Sequence, residues 1–353
     1  MTRPTIGFIG TGMMGQIAHL ANYAQLRDRG ECVIAGVTDL KASLARAVAE
    51  KYLISQVYES DEALLADPGI DAVICVQQWP NNYQLVTRIL NAGKSVLTEK
   101  PMVGRVDEAE ELVALAESKG VYYAVGFMKR YDTGVELAKQ LFMELQESRE
   151  LGALLAIDAH CNGGDWIQNA GTPISVDDPT PLPPLQPTFP DACQTPEQRA
   201  AYHYLVNIFS HNINLCHHFL DAEMSVRAAQ FRGDRAMQAL LRCGDVAVTV
   251  RGSVSAAHEW REHLVLTFER GELAIHTPTP LNRQSSARVT LLHREKSGFA
   301  TTEYHAPVAW AFFREAEGFV QALAGQAPLR APAEKCLWDV RVMDRIITVA
   351  EVF

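Results

Sequence analysis

The chain has 353 residues, of which 48% are hydrophobic, and this length is sufficient for two domains with well-filled cores. Its formal net charge of -10 gives no basic field that would attract a nucleic-acid backbone or an anionic lipid surface, so neither nucleic acid nor a membrane is expected as a partner. No apolar run approaches the roughly 18 residues that cross a bilayer, and the seven cysteines include no C-x-x-C pair. A cytoplasmic protein with reduced thiols is expected.

The first elements are a predicted strand, a glycine-rich loop and a predicted helix. The apolar run Thr5–Ile9 is followed by GTGMMG, and the next segment, Gln16–Arg29, has the composition of a helix. Glycines in this order allow a tight turn, a close approach of pyrophosphate to the backbone, and close packing of the helix on the strand. The loop alone is equally consistent with a structural turn, but it predicts a dinucleotide at the helix N-terminus. The cofactor-binding residues predicted in the loop are Gly10, Gly12, Met13, Met14 and Gly15.

The second predicted strand, Cys32–Thr38, ends at Asp39, which lies 24 residues after Gly15. An acidic side chain at this position can hold both hydroxyls of a ribose, and this favours a nicotinamide dinucleotide site over a structural turn. Because the carboxylate would repel the 2′-phosphate of NADP, the expected cofactor is NAD rather than NADP. Lys41, two positions later, works against this preference.

Further strand and helix units continue the same alternation. The predicted strands and helices of this stretch are Ala72–Val76, Asn81–Asn91, Ser95–Thr98, Val106–Lys119 and Tyr122–Gly126. Such alternation predicts a parallel sheet with right-handed crossovers, so residues 1–126 are expected to form an α/β Rossmann domain that binds NAD(P). Ligands bind outside the carboxyl ends of the strands, where Gln77, Glu99 and Lys100 fall. The alternative for Lys100 is a solvated loop lysine.

From residue 127 onwards the alternation is lost, and residues 127–353 are predicted to form an α+β domain that binds substrate and mediates oligomerisation. A helix near Gly134–Glu147 precedes a strand at Ala153–His160. Runs of alternating polarity predict antiparallel strands of a broad sheet at Val246–Val254, Leu264–Phe268, Leu273–His276 and Ala287–Leu292. Two late helices are predicted at Trp310–Leu323 and Ala333–Val352.

A proline-rich insert, residues 163–200, interrupts the second half. Eight prolines lie between Pro173 and Pro196, a density that excludes a regular helix or a central strand. Long ordered loops in compact proteins are usually functional, so the insert is interpreted as an arm that contacts another subunit or as a lid that closes a pocket. A disordered surface insert is the alternative.

One predicted helix, around the sequence NIFSHNIN, carries a histidine among three asparagines. The polar residues at helical spacing i, i+4, i+7 and i+11 are Asn207, His211, Asn214 and His218. They form one stripe, which indicates a wet or ligand-facing side. His211 suits proton transfer because the unperturbed pKa of histidine, about 6.5, lies near neutral pH. His217 points about 120 degrees away and is expected to be a packing or surface histidine. No carboxylate or thiolate completes a ligand set at this spacing, so no metal site is predicted.

Several motifs together resemble the Gfo/Idh/MocA family, the relatives of glucose-fructose oxidoreductase and inositol dehydrogenase. They are FIGTGMMG, IDAVICV, NAGKSVLTEKP, VGFMKRYD, ELGAL and SHNINLCHHFL, which extend over nearly the whole chain. The E-K-P element after an A-G-K-x-V strand is more specific than the glycine loop. The resemblance implies a Rossmann domain followed by a domain with a large, open, mainly antiparallel sheet. It also implies hydride transfer between NAD(P) and a hydroxyl or carbonyl carbon of a sugar, cyclitol or related polyol.

The resemblance also implies roles for individual residues. The family pattern Asp-x-x-x-His-x-x-Asp makes His211 the catalytic histidine, with Asn207 in place of the first aspartate and Asn214 in place of the second. Asn207 can fix the tautomer of His211, but it cannot supply charge. Lys100, in the E-K-P element, is expected to hydrogen-bond the reacting oxygen and stabilise its developing negative charge. Arg130 in VGFMKRYD is expected to bind substrate, together with Lys100, Asn207, His211 and Asn214.

Three functions are consistent with these residues. The first is an NAD-dependent oxidoreductase of a small polyol or sugar, in which His211 and Lys100 suffice or a carboxylate such as Asp165 replaces the missing one. The second is a non-enzymatic sensor that binds NAD, which would fit the loss of both aspartates. The third is a redox-neutral enzyme with tightly bound NAD and the insert as its lid. A homodimer or homotetramer is the expected assembly.

Overall fold

The computed structural model describes residues 3–168 and 170–353, except for the side chains of residues 256–258. The chain forms two compact units, and neither is continuous in sequence. The first unit consists of residues 3–126, 170–188 and 312–337, and the second consists of residues 127–168, 189–311 and 338–353. Asn169, inside the predicted insert, lies outside the described residues.

Five parallel strands form the sheet of the first unit. They are β1 (Thr5–Ile9), β2 (Val33–Thr38), β3 (Ala72–Cys75), β4 (Ser95–Glu99) and β5 (Tyr123–Gly126). Their order is β2-β1-β3-β4-β5, which confirms the predicted Rossmann sheet. The strands read as apolar runs because helices cover both faces of such a sheet, and every residue of β3 is buried.

Helices connect these strands. They are α1 (Ala21–Asp28), α2 (Ala42–Lys51), α3 (Asp61–Leu65), α4 (Asn82–Asn91) and α5 (Val106–Lys119). Helix α5 has the predicted bounds and ends where Gly120 adopts a left-handed φ of 64°. The helix predicted at Gln16–Arg29 is in two parts, because a π-helical segment, Gly15–Leu20, precedes α1. Wider π-helical turns are frequent at functional sites.

The second unit contains a nine-stranded sheet. Its strands are β6 (Leu154–Asp165), β7 (Ser225–Arg232), β8 (Ala236–Cys243), β9 (Val246–Glu259), β10 (Arg261–Phe268), β11 (Gly271–Thr277), β12 (Arg288–Glu295), β13 (Gly298–Tyr304) and β14 (Ala350–Val352). The order is β13-β12-β11-β10-β6-β9-β8-β7-β14. Among the described strands of this sheet only the β6–β9 and β7–β14 pairs are parallel, which confirms the prediction of a large, mainly antiparallel sheet. The last predicted helix was too long, since residues 350–352 instead pair with β7 at the sheet edge.

The remaining helices are α6 (Thr133–Ser148), α7 (Pro196–Tyr204), α8 (Ser210–Leu220), α9 (Ala311–Leu323) and α10 (Ala333–Val349). Helices α6 and α8 cover one face of the nine-stranded sheet, and residues of β6 and β10 alternate between buried and half-buried accordingly. Thr195 begins α7 with a capping box, in which Gln198 bonds back to the cap. None of the helices in the described ranges combines the length and apolar composition needed to cross a membrane.

Candidate functional site

The glycine loop of the first unit has the local geometry that its sequence requires. Gly10 adopts a φ of 93°, and a Cβ atom there would lie 2.0 Å from the Val76 carbonyl oxygen, so only glycine fits. A Cβ atom on Gly15 would lie 2.5 Å from the Gly10 carbonyl oxygen. A Cβ atom on Gly12 would meet nothing within 4 Å, which leaves room for a phosphate to approach the backbone.

Asp39 fastens the end of β2 to the glycine loop. Its Oδ2 atom accepts hydrogen bonds from the Thr11 backbone N–H at 2.6 Å and from the Thr11 hydroxyl at 3.0 Å. Its Oδ1 atom accepts one from the Lys41 backbone N–H at 2.9 Å. The Oδ1 atom has further acceptor capacity, so the side chain can accept from a ribose hydroxyl while it also holds the loop. This second role was not predicted from the sequence.

Glu99 and Lys100 lie at the end of β4, and the Lys100–Pro101 peptide bond is cis. The Glu99 carboxylate lies 2.8 Å from His19 Nε2 and also accepts a hydrogen bond from the Lys100 backbone N–H at 3.3 Å. Glu315, which is 1% exposed, lies close enough to Glu99 to interact with its charge. Burial, with a smaller contribution from the Glu99 charge, raises the pKa of the Glu315 carboxyl well above its usual value. The proximity of Glu315 to Glu99 was not predicted from the sequence.

All predicted cofactor-binding residues therefore lie at one edge of the parallel sheet. Gly10, Asp39, Gln77 and Lys100 follow the carboxyl ends of β1, β2, β3 and β4 in turn. The Gln77 amide donates to the Asn81 carbonyl at 3.2 Å. Within the described ranges, no cluster of three or more His, Cys, Asp or Glu side chains could hold a metal ion.

His211 lies in the first turn of α8 in the second unit and is 8% exposed. Its ring meets the Phe127 ring edge-on, with centroids 5.8 Å apart. Asn207 lies in a π-helical segment, Leu205–Phe209, and its amide nitrogen donates to the His203 carbonyl at 2.9 Å. The segment that carries Asn207 is therefore π-helical, whereas an ordinary α-helix was expected from Asn207 to His218.

Asn212, beside His211, is tied to a buried carboxylate on β10. Its amide nitrogen donates to Glu262 Oε1 at 3.0 Å. The other oxygen of Glu262 forms an ion pair with Lys129 and accepts a hydrogen bond from Trp260 Nε1 at 3.0 Å. Lys129 and Glu262 are 3% and 4% exposed, so both charges lie inside the unit. Their mutual pairing offsets the cost of removing them from water.

Asn214 is tied to a second buried carboxylate, on α10. Its Oδ1 atom accepts a hydrogen bond from Arg130 Nε at 2.6 Å, and its amide nitrogen donates to Asp339 Oδ2 at 2.5 Å. The other Asp339 oxygen lies 2.6 Å from His217 Nδ1. Arg130 and Asn214, both predicted to bind substrate, thus contact each other. His217 was expected to be either a packing or a surface histidine. It is 1% exposed and is therefore a packing histidine.

Glu262 and Asp339 were not predicted from the sequence, since they lie 50 and 125 positions from their asparagine partners. No local motif marks either residue. The carboxylate suggested instead, Asp165, is exposed at the end of β6, where it accepts a hydrogen bond from the Ile167 backbone N–H at 3.2 Å. His218 is half-buried, and burial lowers the pKa of its imidazole to about 3, with the charges of Arg130 and Lys139 contributing.

Comparisons with known proteins agree with the glycine loop and the sheet order. Residues 5–127 match the family model GFO_IDH_MocA, described as an oxidoreductase family with an NAD-binding Rossmann fold. The chain is 37% identical over 176 residues to an inositol 2-dehydrogenase/D-chiro-inositol 3-dehydrogenase from Lacticaseibacillus casei, a match that covers 49% of each chain. A protein of the same description from Shouchella clausii is 36% identical over 148 residues, or 40% of each chain. The chain thus spans about half, or less, of the length of these curated relatives.

Solved structures resemble the chain over its whole length. KijD10, a 3-ketoreductase from Actinomadura kijaniata in complex with NADP and TDP-benzene, superposes with a TM-score of 0.74 at 18% identity, covering 100% of this chain and 99% of that one. At such low identity this likeness concerns the fold alone. The family model, the curated relatives and the shared fold agree with the motifs read from the sequence. Residues 5–127 thus match the NAD-binding Rossmann model of the GFO_IDH_MocA oxidoreductase family, in agreement with the resemblance of the motifs.

Proposed function

We propose that the protein is an NAD-dependent dehydrogenase that oxidises a hydroxyl-bearing carbon of a cyclitol, sugar or related polyol. When bound, NAD supplies the hydride acceptor. His211 accepts the hydroxyl proton, and the Lys100 ammonium hydrogen-bonds the oxygen and stabilises its developing negative charge. The glycine loop, Asp39, Gln77 and Glu99 are proposed to hold the dinucleotide.

The observation that carries this proposal is the setting of His211. It lies on a buried helix, one position before Asn212 and three before Asn214, and each of these amides is fixed by a buried carboxylate. A general base must be held in one orientation, and these two anchored residues restrict the helix turn that carries it. Asn207 is proposed to orient the ring further.

The substrate class is proposed from the relatives, two of which are named inositol dehydrogenases. The preference for NAD is proposed from Asp39, whose carboxylate would repel a 2′-phosphate. The 3-ketoreductase of the same fold is in complex with NADP, so the preference has to be measured on this chain. Assembly as a homodimer or homotetramer is also proposed, with sedimentation as its test.

The proposal is tested by incubating the purified protein with NAD and a panel of cyclitols, sugars and linear polyols while the absorbance of the reduced nicotinamide is recorded. We expect reduction with at least one cyclic polyol, and no reduction by His211→Ala, which should still bind NAD. Tight NAD binding without reduction by any compound would favour a sensor and contradict the proposed dehydrogenase.

One observation favours a second candidate, a redox-neutral enzyme that retains its cofactor. Residues 170–188 of the insert belong to the first unit and lie beside the glycine loop, where Ile174 exchanges two hydrogen bonds with Gln16. A segment at this position would slow release of a bound dinucleotide. Cofactor that copurifies with the protein and cycles without net reduction would support this candidate over the first.

A further inference from the structure

Residues Ala170–Thr188 of the insert, here called the strap, belong to the first unit and are hydrogen-bonded to its other residues near both ends. The Gln16 side chain, 1% exposed, accepts a hydrogen bond from the Ile174 backbone N–H at 2.8 Å and donates to the Ile174 carbonyl at 3.1 Å. The same amide nitrogen donates to the Thr11 carbonyl at 2.8 Å. At the far end the Thr188 hydroxyl donates to Glu108 at 2.9 Å. Gln16 therefore joins the strap directly to the glycine loop.

Between these two anchors the strap places a carboxylate at the start of α2. Asp178 accepts a hydrogen bond from the hydroxyl of Ser43, the second residue of α2, and another from the Thr180 backbone N–H at 2.9 Å. These bonds hold the pKa of the Asp178 carboxyl well below its usual range. The N-cap residue of α2, Lys41, makes no side-chain cap, and the first turn contains no acidic residue. Asp178 is thus an anion, supplied by a distant segment, at a helix end that favours anions.

This helix end follows directly after Asp39, the residue proposed to hold the ribose. In dinucleotide-binding folds the 2′-hydroxyl of NAD, or the 2′-phosphate of NADP, is recognised at this junction. A helix N-terminus and Lys41 would otherwise attract a phosphate there. With Asp178 in place, an incoming 2′-phosphate meets a second carboxylate besides Asp39, and the hydroxyl of Ser43 is already bonded.

We propose that Asp178 is a specificity-determining residue, which disfavours NADP by occupying the place that a 2′-phosphate would take. The proposal rests on the dinucleotide site of the proposed function and assigns part of its selectivity to the strap. It makes selectivity a joint property of Asp39 and Asp178, contributed by separate parts of the chain.

The test is calorimetric titration of the full-length protein and its variants with NAD and with NADP. For Asp178→Asn, which retains the shape and an acceptor oxygen, we expect NADP affinity to rise on the order of tenfold while NAD affinity changes less than about twofold. Because the effect is electrostatic, the gain should shrink as salt is added. Ser43→Ala, which releases the carboxylate from α2, should give a smaller gain.

Asp177→Asn is the matched control, since it removes the same charge from the neighbouring exposed position of the strap. If NADP affinity rose equally in this control, the effect would come from the net charge of the protein and not from the position of Asp178. That result would overturn the proposal. Unchanged NADP affinity in Asp178→Asn would also overturn it, while NAD binding by the wild type would leave the proposed function intact. A wild type that binds neither dinucleotide would overturn both.

Discussion

Asn214 donates a hydrogen bond to Asp339 across 125 positions of sequence, at 2.5 Å and with both side chains 1% exposed. The resemblance noted from the motifs implies an aspartate at position 214, yet an ionised aspartate there would face Asp339 with no hydrogen to donate. An amide can accept from Arg130 and donate to Asp339 at the same time. The local environment therefore accounts for asparagine at this position.

Restoring the family residue with Asn214→Asp should destabilise the protein by about 3 kcal/mol at neutral pH, because two buried carboxylates would be in contact. Repulsion raises the pKa of one of the two carboxyls, so the lost stability should return as pH falls and that group is protonated. Urea unfolding across the pH range measures this. The double variant Asn214→Asp, Asp339→Asn exchanges donor and acceptor and should recover most of the loss. Full stability of the single variant at neutral pH would contradict the interpretation.

The other aspartate position of the pattern should respond differently. In Asn207→Asp a carboxylate near His211 should raise the pKa of the imidazole, and the acidic limb of the kcat/KM profile for alcohol oxidation should move to higher pH, by up to about one unit. His211→Ala should lose turnover at every pH but keep NAD binding. An unshifted acidic limb would show that Asn207 does not act on His211, and a fully active His211→Ala would remove the histidine from the mechanism.

Lys100→Ala should reduce turnover on the order of 100-fold, because its ammonium is assigned to an oxygen that gains charge only during the reaction. The NAD dissociation constant should change less than about threefold, since no phosphate contact is assigned to this side chain. Steady-state kinetics and direct NAD titration separate the two quantities. An unchanged rate would leave Lys100 as a loop residue.

Lys129→Met should cost about 3–5 kcal/mol of unfolding free energy, because it leaves the Glu262 carboxylate buried without its cation. The control is Arg341→Met, which breaks an ion pair with Glu223 whose side chains are 40% and 46% exposed. That variant should cost less than about 1 kcal/mol. Equal costs in urea unfolding would mean that burial does not distinguish the two pairs.

Glu315→Gln should make the protein more stable at alkaline pH. Burial raises the pKa of Glu315 in the folded state, so its favourable contribution is complete below the usual value of 4.5 and is lost as pH rises towards the folded-state pKa. The advantage of the variant should therefore grow by about 1.4 kcal/mol for each pH unit across that interval. Glu317→Gln, on the same helix, is the control. A pH-independent difference between wild type and Glu315→Gln would refute the assignment.

The sequence by itself determined the features that depend on neighbouring residues. The glycine loop requires Gly10 at a φ of 93°, and helix α5 has the bounds that its periodicity predicts. The parallel sheet followed from strands that alternate with helices, and the residues at its carboxyl edge followed from that order. These are local constraints on backbone conformation and burial, and a single sequence contains them in full.

Only the tertiary structure decided which distant groups meet. Glu262 and Asp339 complete the surroundings of the helix that carries His211, and Asp178 reaches the start of α2 from the strap. The π-helical segment at Leu205–Phe209 was not predicted either, because its pattern of apolar and polar residues is the same as that of an ordinary α-helix. Pairing between buried charges and amides depends on the path of the chain through space, and residues 50 to 135 positions apart leave no periodic signal of their contact.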